Sequence, residues 1–218
     1  MERILNKLFN NIACSYMNKE ENYNEEYYIQ NHLKHLNSFY GFFTKLYYRY
    51  IASYIMAKPA KIHKGSKILD VGCGVGILVE QFNKLGYDAI GIDINHSAID
   101  NSICPKKGFL VENIANLEYS ENYFDLVVSR EVLEHIPQQE IDKSIQELDR
   151  VSKGLMIHII AVTKRGKSAT KDPTHVNVQT ENWWVSKFQQ YGYKVIKKPK
   201  KFFLSPFGSS GYLMAVKG

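Results

Sequence analysis

Ile68-Leu69-Asp70-Val71-Gly72-Cys73-Gly74-Val75-Gly76 is the stretch that decides the fold. A short apolar run reads as a buried strand, glycine at every second position reads as a turn, and Val75–Leu85, closed by Gly86, reads as a helix. Glycines let backbone approach a ligand without a Cβ in the way. The start of the helix supplies N–H groups that have no partner within it. The spacing G-x-G-x-G differs from the dinucleotide pattern G-x-G-x-x-G, and no G-K-[ST] follows, which excludes a phosphate-gripping P-loop. Asp70 precedes the first glycine by two residues, and a carboxylate there suits a cationic group better than a pyrophosphate. Asp93 closes the next strand, in Gly91-Ile92-Asp93-Ile94, where an acid accepts hydrogen bonds from ribose hydroxyls.

Outward from that motif, strands at Tyr87–Asp93, Phe109–Val111, Asp125–Ser129 and Leu155–Ile160 alternate with helices at His96–Ile103 and Gln138–Val151. Alternation of this kind argues a parallel sheet with helices on both faces. The end differs: after a helix at Thr180–Tyr191, strands at Tyr193–Lys197 and Tyr212–Val216 have no helix between them and should pair antiparallel. The predicted fold is therefore α/β, a Rossmann-like seven-stranded, mostly parallel sheet with an antiparallel last strand. An N-terminal helical cap over residues 1–60 precedes the main domain at 61–218. The cap carries one apolar stripe at Ile4, Leu5, Leu8, Phe9 and Ile12. A longer one runs from Phe39 to Tyr54, is expected to end at Pro59, and reads as core.

The chain has 218 residues, 44% hydrophobic and 23% charged, an ordinary globular composition that excludes a disordered tail or a disulfide mini-domain. The net charge of +6 is uneven: residues 1–60 carry +2, 61–150 carry −6 and 151–218 carry +10. Cys14, Cys73 and Cys104 form neither a disulfide framework nor a C-x-x-C zinc pair. The N-terminus lacks the uninterrupted apolar run of a signal peptide, and Phe39–Ala57 contains Lys45 and Arg49, so no membrane span is expected. The expected location is cytoplasmic.

A ribose site beside a cation site, with no phosphate grip, describes S-adenosylmethionine. Together with Tyr123-Phe124-Asp125-Leu126-Val127-Val128-Ser129 and Val132-Leu133-Glu134-His135-Ile136, these motifs resemble the class I S-adenosylmethionine-dependent methyltransferases. The nearest branch is the small-molecule group that includes ubiquinone-biosynthesis O-methyltransferases. The resemblance covers about residues 60–218. It implies that Gly72, Cys73, Gly74 and Gly76 line the methionine part, with Asp70 near its amino group. Asp93 would hold the ribose, with Ile94 against the adenine. The family usually has Asp after the third strand; here Glu112-Asn113-Ile114 occupies that slot, and Asn113, beside Ile114, stands in for it. Ser129 and Arg130, after the fourth strand, would sit beside the sulfonium and the acceptor. Tyr23, Tyr27 and Tyr28 are lid candidates, Tyr28 as a cofactor contact.

His135 and His175 are the candidate catalytic bases, because both lie in loops on the expected acceptor side. His158 falls inside a strand and reads as core; His32 and His35 read as surface. Glu131, Glu134 and His135, in E-x-x-E-H, resemble metal-using members, and with His175 they would offer a divalent site; the reading adopted has no metal. The partner expected is a small-molecule methyl acceptor, an anionic one if the basic last third (Lys164, Arg165 and Lys167 among it) faces it, with the chain a monomer or homodimer. Lys outnumbers Arg 23 to 5 without aromatic–Arg interleaving, which argues against nucleic acid. Two alternatives remain: a metal-assisted RNA 2′-O-methyltransferase, and a non-catalytic S-adenosylmethionine- or partner-binding protein.

Overall fold

The computed structural model describes residues 39–104, 108–163, 174–197 and 210–217. The central strand is β1 (Lys67–Val71), with four of its five residues buried. A continuous aliphatic run is what a strand covered on both faces requires. β2 (Asp88–Asp93) and β3 (Phe109–Val111) lie to one side of it. β4 (Leu126–Arg130) and β5 (Leu155–Ala161) lie to the other. β1 pairs parallel with both β2 and β4, so the strand order reverses there. The crevice beyond the carboxyl ends of β1 and β4 is thus the position where such sheets bind ligands. β7 (Ser210–Lys217) inserts antiparallel between β5 and β6 (Tyr193–Lys197), giving the order β3-β2-β1-β4-β5-β7-β6. This is the expected seven-stranded sheet.

Two apolar layers sandwich it. One contains Leu69, Val71 and Val127 from the strands, Ile145 and Leu148 of α4 (Ile141–Val151), and Trp184 and Phe188 of α5 (Glu181–Gln190). Thr180 caps α5 by accepting the Trp183 N–H; Trp184 is fully buried while Trp183 is only partly so. The other layer contains Ile68, Val128 and Ile157, with Val79 and Phe82 of α2 (Ile77–Lys84). Tyr47, Ile51, Ala52, Met56 and Ala57 join that second layer. They come from α1 (Phe39–Tyr50), which runs on as a π-helix over Ile51–Ala57 and a last α-turn, Lys58–Ala60. Residues 39–60 therefore share a core with the sheet.

Several boundaries differ from expectation. α2 starts at Ile77 rather than Val75, because Gly74 and Gly76 both take positive φ, 54° and 83°. The helix after β2, α3 (His96–Asp100), stops three residues early. Pro59 does not end the N-terminal helix. It sits in the first residues of the last turn, where its missing N–H is not needed, and the chain leaves the helix at Lys61, φ 54°. Ser129 and Arg130 are the last residues of β4 itself, not residues beyond it. Among the described residues no helix is long and apolar enough to cross a membrane. The stripe at Ile4–Ile12, Tyr23, Tyr27, Tyr28, His32, His35, Lys164, Arg165 and Lys167 lie outside the described residues.

Candidate active site

The glycine turn is tied down by its neighbours. The Cys73 N–H donates to the Ile92 carbonyl at 3.0 Å, and the Gly76 N–H to the Cys73 carbonyl at 3.0 Å. Asp93, at the end of β2, accepts from the Gly74 N–H through Oδ2 and from the Asn95 N–H through Oδ1, each at 2.9 Å. One carboxylate therefore fixes both the glycine turn and the loop into α3. A Cβ on Gly76 would lie 2.3 Å from the Phe109 ring, so only glycine fits there. A Cβ on Gly74 would meet nothing within 4 Å: that side of the turn faces open space. Gly72, next to Val132, begins the turn. The Cys73 thiol packs against Gly91, and burial pushes its pKa up, so it is a packing group here and not a nucleophile.

Asp70 is 2% exposed. Burial, and then the charge of Asp93, push its carboxyl up to about 8, with Arg130 opposing. A buried carboxyl held near neutrality beside an open turn is ready to ionise against an incoming cation. Ile94, immediately past Asp93, is 70% exposed, and Leu110 and Val111 of the neighbouring β3 are also exposed. Leu110 and Val111, consecutive in the strand, point to opposite faces of the sheet. Asn113 is exposed and its Oδ1 already accepts from the Ala115 N–H at 2.9 Å; Ile114 packs on the core.

At the end of β4 the two expected residues behave differently. Ser129 is fully buried, and its Oγ lies 2.8 Å from Nδ1 of His158, its register partner on β5. Burial pushes His158 down to about 3, so it is neutral and serves as core, stacked 5.0 Å from Phe188. Ser129 is thus locked into the sheet. Arg130 faces the N-terminal helix. Its Nη1 donates to the Tyr48 hydroxyl at 2.6 Å, and its guanidinium lies 5.0 Å from the Tyr48 ring and 5.9 Å from the Tyr47 ring. Burial opposes the charge on Arg130, and Tyr48, Tyr47 and Glu131 outweigh it. Tyr48 also packs on Val75 and Ile77 at the glycine turn. The helix that carries the Phe39–Tyr54 stripe therefore also brings Tyr48, which is outside that stripe, against Arg130. Neighbouring residues of a helix point to different faces. That offset lets Tyr47 bury while Tyr48 reaches the site.

A second group of side chains lies just past β4. Glu131 turns the chain with φ 55°, and a short 3-10 turn, Leu133–His135, follows. Glu134 is fully buried; its Oε1 accepts from the Ala161 N–H at 2.8 Å, while Oε2 is buried with no hydrogen-bond partner. Burial, then the neighbouring Glu131, hold its pKa well above the usual carboxylate range. The Asn177 N–H donates to the Glu134 carbonyl at 2.9 Å and so brings in the segment before α5. His135 Nδ1 lies 3.1 Å from both the Thr174 carbonyl and its hydroxyl. His135 and His175 meet edge to face at 4.6 Å. Donor atoms of Glu134, His135 and His175 all fall within 4.8 Å of one another. The two histidines chosen from sequence are thus brought together, and Glu134 is the third member.

The turn, the acid that ends β2, and Glu134 with His135 fall within one matched stretch, while His175 lies beyond it. Residues 69–157 match a family described as a methyltransferase domain. That stretch is similar to a methyltransferase domain. Two curated relatives are ubiquinone biosynthesis O-methyltransferases. The one from Acinetobacter baylyi is 31% identical over 116 residues, 48% of this chain and 47% of that protein. The one from Methylococcus capsulatus is 39% identical over 82 residues, 34% of each. The chain thus spans half or less of the length of these relatives. Among solved structures, magnesium protoporphyrin IX methyltransferase from Synechocystis, determined with bound S-adenosylmethionine, aligns with a TM-score of 0.61 at 17% identity. That alignment covers all of this chain and 97% of that one. At that identity the likeness concerns the fold alone.

Proposed function

We propose that this chain is an enzyme that transfers a methyl group from S-adenosylmethionine to a hydroxyl or amine of a small molecule. The observation that carries the reading is the Asp93–Gly74 bond. It holds a carboxylate beside a glycine turn whose open side has room for a ligand. The residues present fit the cofactor. Asp70 would offer a carboxyl to its ammonium group, Asp93 would receive its ribose, and the exposed Ile94 would lie against its adenine.

The bound cofactor supplies an already activated methyl. The chain therefore has to orient, exclude water and manage one proton. His135 is the group assigned to take the acceptor proton, held through Nδ1 against Thr174 and in ring contact with His175. The test is transfer of label from methyl-labelled S-adenosylmethionine across a panel of phenols, catechols and amines. His135→Ala should lower turnover of a hydroxyl acceptor about a hundredfold, within the usual range for losing a general base. Equal turnover of a phenol by the variant and the parent contradicts the assignment.

A second reading of the same group has its own support. The buried, unpartnered Glu134 Oε2 stands next to two histidines, a mixed oxygen and nitrogen set suited to a divalent cation. Glu134, His135 and His175 would hold the ion, which would lower the pKa of an acceptor hydroxyl. Loss of activity in chelator, restored by added metal, selects this reading; activity unchanged by chelator selects the base.

A further inference from the structure

The outward face of α1 is apolar as well as its inward face. Residues 42, 45, 46 and 49 share one side of a helix, opposite the buried Tyr47 and Ile51. On that side Phe42 is 63% exposed and Leu46 52%, beside Lys45 and the exposed Arg49. The π-helix carries the stripe on: Tyr54 is 58% exposed, stacked 5.6 Å from Tyr50, with Lys58 Nζ 5.4 Å above its ring. A helix whose polar side meets water needs no second contact, whereas one apolar on both sides does. The charge along this stretch of sequence is one-sided. Residues 27–69 contain no Asp or Glu, and they contain Lys34, Lys45, Arg49, Lys58, Lys61, Lys64 and Lys67.

We propose that this outward face of residues 42–58 docks on an anionic lipid surface. Phe42, Leu46 and Tyr54 would enter the headgroup boundary, while Lys45, Arg49 and Lys58 pair with lipid phosphates. Aromatic and aliphatic residues flanked by basic side chains are the composition of an interfacial helix. The absence of acids removes the repulsion an anionic bilayer would otherwise meet. A second copy of the chain is the poorer occupant. A two-fold contact would set each basic stripe against its own copy. The inward side of the same helix places Tyr48 against Arg130 and the glycine turn. Docking therefore leaves the candidate active site about one helix diameter, roughly 10 Å, from the lipid.

The proposal is independent of methyl transfer and is tested on the full chain by vesicle flotation. Vesicles of phosphatidylglycerol and phosphatidylcholine should carry the protein at least tenfold better than phosphatidylcholine alone, with the difference shrinking as salt rises. Phe42→Ser with Leu46→Ser, and separately Lys45→Gln with Arg49→Gln, should each lower flotation at least tenfold at unchanged melting temperature. Leu46→Trp gives a signal that needs no loss of binding. Its emission should shift to the blue and be quenched by brominated lipid when anionic vesicles are added. No flotation of the parent chain overturns the proposal, as does an unmoved Trp emission or flotation indifferent to Phe42 and Leu46. Two further results overturn it in favour of another occupant: a dimer that the Phe42 and Leu46 changes split, or salt-dependent RNA binding lost with Lys45 and Arg49 in a chain that ignores vesicles.

Discussion

Asp70 makes cofactor affinity a function of pH. Its carboxyl is held at about 8, chiefly by burial and next by Asp93. A cationic ammonium is best received by the ionised form. At pH 7 ionising the group costs about 1.4 kcal/mol, since each pH unit is worth 1.36 kcal/mol, or tenfold in affinity. Calorimetric affinity for S-adenosylhomocysteine should therefore strengthen by close to tenfold from pH 6 to 7 and level off above about pH 8, with nearly one proton released per ligand at pH 7. Asp70→Asn should bind weakly and flatten the profile. Stability runs the other way. The folded-state pKa lies above the unfolded one, so the contribution is complete below about pH 4 and is lost as pH rises through about 8. The gap from 3.8 to about 8 bounds that loss at roughly 6 kcal/mol. The unliganded protein should melt lower at pH 8.5 than at pH 6, and ligand should narrow the difference. An affinity flat between pH 6 and 8, with no proton exchanged, refutes the reasoning.

Tyr48→Phe removes the hydroxyl that meets Arg130 and keeps the ring over the guanidinium. A hydrogen bond to a charged group is worth about 1.5–3 kcal/mol, which for a chain of this size lowers the melting temperature by about 3–6 °C at the lower end; no change in a calorimetric scan would mean the bond is not formed in solution. Gly76→Ala sets a Cβ against the Phe109 ring and forces a left-handed backbone on alanine. It should cost upward of about 2 kcal/mol in urea unfolding, because a non-glycine residue at positive φ alone costs about 1–2 kcal/mol. Glu134→Gln keeps the acceptor for the Ala161 N–H and removes the carboxylate. If the group past β4 holds a cation, calorimetry should show metal affinity falling by an order of magnitude or more.

The strand–glycine–helix unit and Asp93 were legible because their signal is local: each lies within a few residues of the pattern that identifies it. The sheet was legible because alternation and the missing last helix are also local. Contacts that join distant residues were less so. Tyr48 and Arg130 are 82 residues apart, and helical periodicity gives Tyr48 no role. Ser129 looked like a ligand contact; only its register against His158 shows it bound into the sheet. Arg130 ends β4 because parallel pairing with Ile159 extends the strand by one residue, which propensity does not reveal. His135 and His175 read from sequence as loop histidines on one side, and as partners only through a resemblance to metal-using members. Their meeting depends on the bond between the Asn177 N–H and Glu134, which no spacing rule encodes. The exposed Phe42–Leu46 face escaped notice for a related reason. A stripe reads the same from sequence whether a core or the outside covers it.

Cofactor binding rests most on Asp93 beside the glycine turn. Titration calorimetry of the full chain with S-adenosylhomocysteine, parent against Asp93→Ala, tests it directly, with circular dichroism to confirm that the variant is folded. The account predicts saturable one-to-one binding by the parent and at least a hundredfold weaker binding by the folded variant. No binding by the parent at millimolar ligand, or undiminished binding by Asp93→Ala, contradicts it.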